Sequence, residues 1–351
     1  MSDLRPRRSV EKMAPYRPPT AGRAGKLRLD FNENTVGCSP RVIEFLQSRL
    51  DGGSLSVYPE YVDAREEIAR FFDVDPAEFT FTNGTDEAIQ VLVNTYVDSG
   101  DDVILLHPSY AMYRFYTEVA GGNIREIPYR PSSLDFPLEE LTAAVLPTTR
   151  VIFISNPNNP TGSATGLPGI QRILEAAPHA AVFVDEAYFE FYGVTALPWI
   201  RSYANLFVSR TFSKVYGMAA MRIGCLFSSA GNQQYLRKCQ SPYSVNSLAV
   251  LAARAAIRDT EYVRSYVAEA LAARDMLYAG FEEMGVRYYK SCGNFVLFHA
   301  GDQAAAVRDS LRDRGILVRD RSYEIPGTVR VTAGTREQTT RFLEGLKEIW
   351  R

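Results

Sequence analysis

The feature that most constrains the fold of this chain is the alternation of short β-rich runs with helix-length segments through its middle. Two of these runs, VIFIS at 151–155 and AVFVD at 181–185, are almost entirely apolar, which suits strands covered on both faces of a sheet. Because strand and helix alternate, parallel connections and a doubly wound α/β domain are predicted. The predicted strands are 79–82, 103–107, 124–128, 151–155, 181–185, 206–209 and 222–228.

The pattern changes after Asn246, where long helical periodicity replaces the alternation. A helix over about 261–284 is followed by predicted strands at 286–290, 294–299 and 329–332 and predicted helices at 303–314 and 337–350. The first thirty residues are basic and rich in proline, so an arm without regular structure is expected there. The expected division is 1–50 for the arm and part of the small domain, 51–245 for a large domain with a mostly parallel sheet, and 246–351 for a smaller α+β domain.

Composition narrows the range of functions. With 351 residues and a formal net charge of -2, the chain has no strong field with which to hold nucleic acid or an anionic membrane. No apolar run approaches the roughly 20 residues that span a bilayer, and the N-terminal residues lack the apolar segment of a signal peptide. A cytoplasmic enzyme acting on small molecules is therefore expected. A metal site, a disulfide framework or a histidine triad is not expected, because the candidate residues are scattered: Cys38, Cys225, Cys239, Cys292, His107, His179 and His299.

The strongest chemical pattern is SRTFSK at 209–214, which is followed by an arginine at position 222. Pyridoxal 5′-phosphate (PLP) needs a lysine amine that condenses with its aldehyde, and hydroxyls and a fixed cation for its phosphate. Lys214 supplies the amine, and the other groups are Thr211, Ser213 and Arg222. A lone lysine is usually a solvated surface group, but this local pattern makes that interpretation much weaker. PLP is therefore the expected cofactor, carried on Lys214.

The run AVFVD ends in an acid and is followed by Glu-Ala-Tyr. In open α/β sheets ligands bind beyond the carboxyl ends of strands, so Asp185 is expected to face the cleft. An aspartate beneath the pyridine nitrogen keeps that nitrogen protonated, and Tyr188 could hydrogen-bond the ring's phenolic oxygen. For Asp185 taken alone, a helix cap or a surface acid is an equally good interpretation.

Three further segments follow predicted strands. SNPNNPTG at 155–162 is rich in turn formers, and Asn159 is its candidate for contact with the cofactor ring oxygen and the substrate carboxylate. TNGTDE at 82–87 opens a helix, so Thr85 and Asp86 are candidates for the cofactor phosphate, although an ordinary helix cap explains them too. Tyr110, in PSY, could stack on the pyridine ring.

Arg330 lies in the β-rich run VRVT. A guanidinium on a strand is held rigidly enough to grip a carboxylate through two parallel hydrogen bonds. A structural ion pair at a strand edge is the commoner explanation for such a residue, so Arg330 carries little weight by itself. It gains weight only from the other segments.

Taken in order, TNGTDE, PSY, NPNNPTG, VDEAY, RTFSK and VRVTAGTRE resemble the fold-type I aminotransferases, and most closely the histidinol-phosphate aminotransferases. The resemblance extends from about residue 15, through LDFNEN at 29–34, to Glu337. It implies a homodimer in which Tyr58 reaches the partner's cofactor phosphate. It also implies that Tyr16 and Arg319 bind the phosphate group of the substrate. One departure is Ala220, where the family usually has glycine.

The reaction that this resemblance implies is a ping-pong transfer of an amino group, from histidinol phosphate to 2-oxoglutarate, with Lys214 moving the proton. Two other activities remain open on the same scaffold, transamination of aromatic amino acids and decarboxylation of a phosphorylated amino acid. A PLP-binding regulator is a further alternative, but such proteins usually carry a DNA-reading domain, and the chain has no spare length for one.

Overall fold

The structure is a computed structural model that describes residues 4–15 and 21–350. Its strands are β1 (Leu27–Arg28), β2 (Phe79–Thr82), β3 (Asp102–His107), β4 (Asn123–Pro128), β5 (Thr149–Ser155), β6 (Ala181–Asp185), β7 (Leu206–Thr211), β8 (Gly224–Phe227), β9 (Tyr288–Tyr289), β10 (Phe295–His299), β11 (Ile316–Leu317), β12 (Arg319–Asp320) and β13 (Thr328–Thr332). Its helices are α1 (Arg8–Glu11), α2 (Pro40–Arg49), α3 (Gly52–Ser56), α4 (Val62–Phe72), α5 (Gly84–Tyr96), α6 (Ala111–Ala120), α7 (Leu138–Ala143), α8 (Leu167–Ala176), α9 (Phe189–Tyr192), α10 (Ala230–Cys239), α11 (Ser247–Arg258), α12 (Thr260–Glu283), α13 (Ala304–Asp313) and α14 (Arg336–Ile349).

The large sheet has seven strands in the order β2-β8-β7-β6-β5-β3-β4. Strands β4, β3, β5, β6 and β7 run parallel, whereas β8 is antiparallel to both of its neighbours. Every residue of β6 and β7 is buried, because helices cover both faces of the sheet, as expected of apolar runs in a parallel sheet. The predicted mostly parallel α/β sheet is confirmed.

The carboxyl ends of three neighbouring strands meet at one edge of this sheet. The register pairs Asp185 at the end of β6 with Ser155 at the end of β5, and pairs Asp185 also with Ser209 of β7. Polar residues that are far apart in the chain are therefore brought side by side where open α/β sheets bind ligands.

A second sheet, in the order β12-β13-β10-β9, is antiparallel and packs against α12, α13 and α14 around its own buried cluster. Leu29 belongs to that cluster, and β1 pairs in parallel with β11, so the segment just before residue 30 is part of this smaller unit. In β12 and β13 the register pairs Arg319 with Arg330.

Two details differ from a simple strand-and-helix interpretation of the sequence. The arm expected to lack regular structure contains the short helix α1, which lies on α6, with the Ser9 hydroxyl donating to the Val119 carbonyl oxygen at 3.2 Å. Helix α11 packs on α2 and α4 and contributes to the larger core, not to the smaller one. No helix in the described parts of the chain has the length and apolar character needed to cross a membrane.

Candidate active site

A cavity of about 500 Å³ lies between the carboxyl edge of the large sheet and the smaller unit. Most of the candidate residues picked out by the sequence line it, although they come from many separate segments. Those lining residues are Thr85, Asp86, Tyr110, Asn159, Asp185, Tyr188, Thr211, Ser213, Lys214, Arg222, Arg319 and Arg330.

Asp185 forms the base of the cavity at the end of β6. Its carboxylate accepts hydrogen bonds from the Tyr113 hydroxyl at 2.8 Å, the Ser209 hydroxyl at 2.8 Å and the Ala187 main-chain N–H at 3.2 Å. Burial nevertheless raises the pKa of Asp185 to about 6, because the loss of water costs more than these donors return. A cation placed against this carboxylate would restore its charged form.

Lys214 follows β7 and reaches across the cavity toward the N-terminal segment. Its Nζ donates to the main-chain carbonyl oxygen of Phe31 at 3.0 Å and lies 5.8 Å from the centre of the Tyr188 ring. Asn34 fixes the same loop, since its amide nitrogen donates to the Val215 carbonyl oxygen at 2.8 Å. The amine therefore lies at the cavity wall, held by one hydrogen bond to a main-chain carbonyl.

The N-terminus of α5 forms an anion cradle at one end of the cavity. Thr85 has a buried hydroxyl that finds no hydrogen-bond partner within the described residues. A Cβ atom on Gly84 would come within 2.5 Å of Arg222 Nη2, so the guanidinium lies against this glycine. Arg222 Nη2 also donates to the Asp86 carboxylate at 3.1 Å. Unpaired donors at a helix start next to a guanidinium suit a phosphate group.

Tyr110 closes the cradle from the other side. Its hydroxyl donates to Asp86 Oδ1 at 2.7 Å, and its ring lies edge-on to that of Tyr113, with the centroids 5.7 Å apart. The ring therefore stands beside the base of the cavity.

Arg330 is buried at the opposite end, on β13. Its guanidinium donates to the Asn159 amide oxygen and, at 2.5 Å, to the Asp30 carbonyl oxygen, whereas its Nε finds no partner within the described chain. Within the described residues no carboxylate lies within 4.0 Å of the Arg330 guanidinium. Burial, together with the charge of neighbouring Arg321, lowers the pKa of Arg330 to about 10. A buried guanidinium without a counter-ion is costly unless a ligand supplies one.

Arg319 lies beside Arg330 in register and faces the same cavity. Across residues 4–15 and 21–350 it forms no ion pair; its guanidinium carbon lies 5.7 Å from the centre of the Phe31 ring. Arg321 also lines the cavity, but it is paired with Glu324. The smaller unit thus presents two arginines, Arg319 and Arg330, that form no ion pair within the described residues.

Among the predicted site residues that the structure describes, Tyr58 is not one of those lining the cavity. Tyr58 is 75% exposed and stacks on Tyr243, with the ring centroids 4.5 Å apart. Tyr16 lies outside the described residues.

Several residues at the site were not singled out by the sequence. The segment LDFNEN at 29–34 crosses the cavity, and the Asn32 amide nitrogen donates to the Tyr188 hydroxyl oxygen at 3.0 Å. Tyr113, which holds Asp185, is one helical turn from Tyr110, and Ser209 begins the SRTFSK segment. Their contacts depend on strand register and helix orientation, so the only available indication was their closeness to residues already chosen.

The arrangement supplies the parts of an amine-transfer site. A lysine amine and a buried carboxylate lie in one cavity between an anion cradle and a pair of arginines. Such a cavity can hold a phosphorylated cofactor at one end and an anionic substrate at the other, with the amine between them.

Comparison with known proteins agrees with this geometry. Residues 24–346 match the family model Aminotransferase class I and II. The chain is 36% identical to the histidinol-phosphate aminotransferase of Symbiobacterium thermophilum over 97% of both chains. It is 34% identical to the protein of that name from a Geobacillus species, over 92% of this chain and 90% of the relative.

Solved structures show the same fold. Histidinol-phosphate aminotransferase from Sinorhizobium meliloti, in complex with pyridoxal-5′-phosphate, aligns with a TM-score of 0.89 and 25% identity over 99% of both chains. A mutant aspartate aminotransferase from Thermus thermophilus aligns with a TM-score of 0.84 at 23% identity, over 99% of this chain and 100% of the other. The predicted PLP-dependent transferase fold of type I is confirmed, and the chain belongs to the class I and II aminotransferase family.

Proposed function

We propose that this chain is a PLP-dependent transaminase that converts histidinol phosphate and 2-oxoglutarate to imidazole acetol phosphate and glutamate, a step of histidine biosynthesis. One observation carries the choice of substrate. Arg319 and Arg330 face the cavity together without a carboxylate partner in the described residues, and a dianionic phosphate ester needs more neutralising charge than a single carboxylate does. The histidinol-phosphate aminotransferases among the relatives support the same choice.

The residues present fit the cofactor. The unpartnered hydroxyl of Thr85, the start of α5 and Arg222 would hold the phosphate, with Ser213 and Thr211 beside them. Asp185 would face the pyridine nitrogen, and Tyr110 would lie against the ring. When bound, PLP supplies an aldehyde carbon and a protonated ring that draws electrons away from the substrate's Cα.

The chain's own groups move the proton. We propose that Lys214 Nζ takes the proton from the substrate's Cα and would deliver it to the cofactor carbon that receives the amino nitrogen. The amine can do this because the Phe31 carbonyl holds it at 3.0 Å through a single hydrogen bond, from which it can swing. Asp185 stays charged when a cation lies against it, which keeps the electron-withdrawing ring protonated.

Binding of the two substrates is divided between the arginines. Arg330, with Asn159 beside it, is assigned to the carboxylate of glutamate and 2-oxoglutarate, because that pair presents a planar fork of donors. Arg319 is assigned to the phosphate of histidinol phosphate. Tyr16, outside the described residues, is proposed to join Arg319 in that contact.

A homodimer with shared sites belongs to the same proposal. Tyr58 is exposed on its own chain, and we propose that it reaches the cofactor phosphate of a second copy. The division into 1–50, 51–245 and 246–351 stays a prediction, as does the cytoplasmic location; the packing of α11 on α2 and α4 ties the third segment to the large domain.

Half-reaction spectra test the proposal most directly. The absorbance of the bound cofactor is followed while histidinol phosphate, glutamate, phenylalanine and tyrosine are added one at a time. Histidinol phosphate and glutamate should each change it at the lowest concentrations. The variant Lys214→Ala should bind PLP without turnover, and a wild-type rate in that variant would contradict the assignment.

The same experiment separates the other activities that the scaffold supports. A stronger response to phenylalanine or tyrosine would make the chain an aromatic transaminase. Release of carbon dioxide without any need for 2-oxoglutarate would make it a decarboxylase.

A further inference from the structure

We propose that Asn32 and Thr332 are positioning residues that fix the hydroxyl of Tyr188 as a hydrogen-bond donor toward the cavity. The inference rests on the proposed function, since the acceptor in the cavity would be the phenolic oxygen of the cofactor ring. It assigns roles to two buried side chains that would not themselves touch the cofactor or substrate.

The chain of hydrogen bonds begins at Thr332. Its Oγ1 lies 3.1 Å from the Asn32 main-chain nitrogen, which can only donate, so the hydroxyl oxygen accepts there. The same oxygen lies 3.2 Å from Asn32 Oδ1. Within the described residues the hydroxyl has no other acceptor, so its single hydrogen goes to Asn32.

The direction of that bond determines how the Asn32 amide is turned. The end that accepts from Thr332 must be the oxygen, and the nitrogen therefore points at Tyr188, 3.0 Å from its hydroxyl oxygen. An amide N–H is only a donor, so the phenol oxygen accepts. The hydrogen of the Tyr188 hydroxyl is then available for donation, and no acceptor for it is present among the described side chains and main-chain atoms.

Asn32 cannot easily turn over. It is fully buried, and its φ of 56° lies in the left-handed region, which asparagine tolerates better than most residues. Its own carbonyl oxygen accepts from the Asn294 amide at 3.3 Å. With all of its polar groups engaged, the side chain keeps one orientation.

The consequence concerns the charge on the cofactor ring oxygen. A phenol that donates to this oxygen stabilises its anionic form, which lowers the pH at which the lysine-bound cofactor loses its proton. The charged side chains that face Tyr188 are Lys214, Arg330 and, at the base of the cavity, Asp185. The substitutions below leave all three in place.

Thr332→Val tests the relay without adding charge, and Thr332→Ser, which keeps the hydroxyl, is its matched control. Removing the hydroxyl frees the amide to present its oxygen to Tyr188, which would then donate to Asn32 and no longer to the cofactor. The pH midpoint of the bound cofactor's absorbance should rise by about one unit in Thr332→Val and stay in place in Thr332→Ser. Asn32→Asp, which can only accept when ionised, should raise it at least as far.

Tyr188→Phe shows whether the effect passes through the phenol. In that background Thr332→Val should cause no further change in the midpoint, because the donor is already gone. Equal shifts with and without the Tyr188 hydroxyl would overturn the inference, as would an unchanged midpoint in both Thr332→Val and Asn32→Asp.

Cofactor affinity and thermal unfolding of each variant complete the test. If Asn32→Asp does not fold, the comparison of Thr332→Val with Thr332→Ser still decides. A wild-type chain that bound no PLP would contradict the proposed function and this inference together. If PLP binds but the pH midpoint of its absorbance is the same in the variants as in the wild type, only this inference is contradicted.

Discussion

At the scale of single residues, the site is marked by two buried ionisable groups whose pKa values move toward their neutral forms. Asp185 is shifted upward to about 6 and Arg330 downward to about 10, in both cases chiefly by burial. Neither group forms an ion pair within the described chain. Buried charges left in this condition are characteristic of positions that a ligand completes.

The raised pKa of Asp185 predicts how the stability of the cofactor-free protein depends on pH. Between about pH 4 and pH 6 the folded chain keeps a proton that the unfolded chain has released, so stability falls as the pH rises through this window. The rise in the pKa of Asp185 from 3.8 to about 6 corresponds to a loss of about 3 kcal/mol in the free energy of unfolding across this window.

Urea unfolding of the cofactor-free protein at several pH values, compared with Asp185→Asn, checks this. From low to high pH, the free energy of unfolding of the wild type should fall by roughly 3 kcal/mol relative to that of Asp185→Asn. Parallel curves for the two proteins would show that Asp185 does not carry the shift.

Arg319 yields a prediction about the choice of substrate. Arg319→Gln should raise the KM for histidinol phosphate by about 10- to 100-fold, because a charge-assisted contact contributes about 1.5–3 kcal/mol. The KM for glutamate should change by less than about 3-fold, since Arg330 remains. Steady-state kinetics with both substrates measures the split, and Arg336→Gln, on the surface of the same unit, is the control. Equal losses for both substrates would remove the assignment of Arg319 to the phosphate.

The sequence indicated most of the residues around the cavity: some, such as Asp185 and Asn159, because they follow an apolar run, and Lys214 because of the pattern around it. It did not indicate Asn32, whose contact with Tyr188 spans 156 positions and depends on a left-handed backbone turn. It also did not indicate that Arg321 pairs with Glu324, whereas Arg319 forms no ion pair in the part of the chain that the structure describes. Such pairings are properties of side-chain packing, which local sequence patterns do not describe.

At the scale of elements, a buried ion pair links the ends of β6 and β7 on the side of the sheet that faces away from the cavity. Glu186, directly after Asp185, and Arg210, directly after Ser209, lie 2.7 Å apart and are almost fully buried. The Thr195 hydroxyl donates to Glu186, and the Arg210 guanidinium donates to Thr195 in turn. Because neighbouring strand residues face opposite sides of a sheet, this pair lies away from the cavity while Ser209 faces Asp185.

Breaking this pair should destabilise the protein strongly. Glu186→Gln leaves the Arg210 charge buried without its partner, which typically costs about 3–5 kcal/mol. Glu269→Gln, which breaks an exposed pair with Arg336, should cost less than about 1 kcal/mol. Chemical denaturation of both variants gives the comparison; similar losses would mean that the buried pair contributes no more than a surface one.

The regular elements followed from periodicity more reliably than their directions or pairings did. β2 and β6 begin and end at the residues predicted for them, yet nothing local indicates that β8 runs antiparallel between β2 and β7. The two-residue strands β1, β11 and β12 are too short to leave a pattern. Pairing is decided by the whole sheet, so it could not be predicted from segments taken singly.

At the scale of the whole molecule, the proposed homodimer predicts complementation between inactive chains. If Tyr58 serves the partner's site, a hybrid of Lys214→Ala with Tyr58→Ala has one site made only of wild-type groups. Random reassociation of equal amounts should therefore restore activity at about one quarter of the sites.

Activity of the refolded mixture, set against each variant refolded alone, measures this. Arg222→Ala mixed with Lys214→Ala is the matched control: both residues line the same chain's cavity, so neither site of the hybrid is intact and no activity should return. If the Tyr58→Ala mixture recovers no more activity than this control, Tyr58 serves only its own chain's site.

The segment at 29–34 links the two ends of the polypeptide. Its carbonyls accept from Lys214 and Arg330, and the Thr332 main-chain nitrogen donates to the Leu29 carbonyl oxygen at 2.9 Å. During synthesis these early residues must wait for some three hundred more before their partners exist. A ribosome-bound chain stopped short of β13 therefore lacks one wall of the cavity, and the capacity to hold both cofactor and substrate is acquired only as translation nears its end.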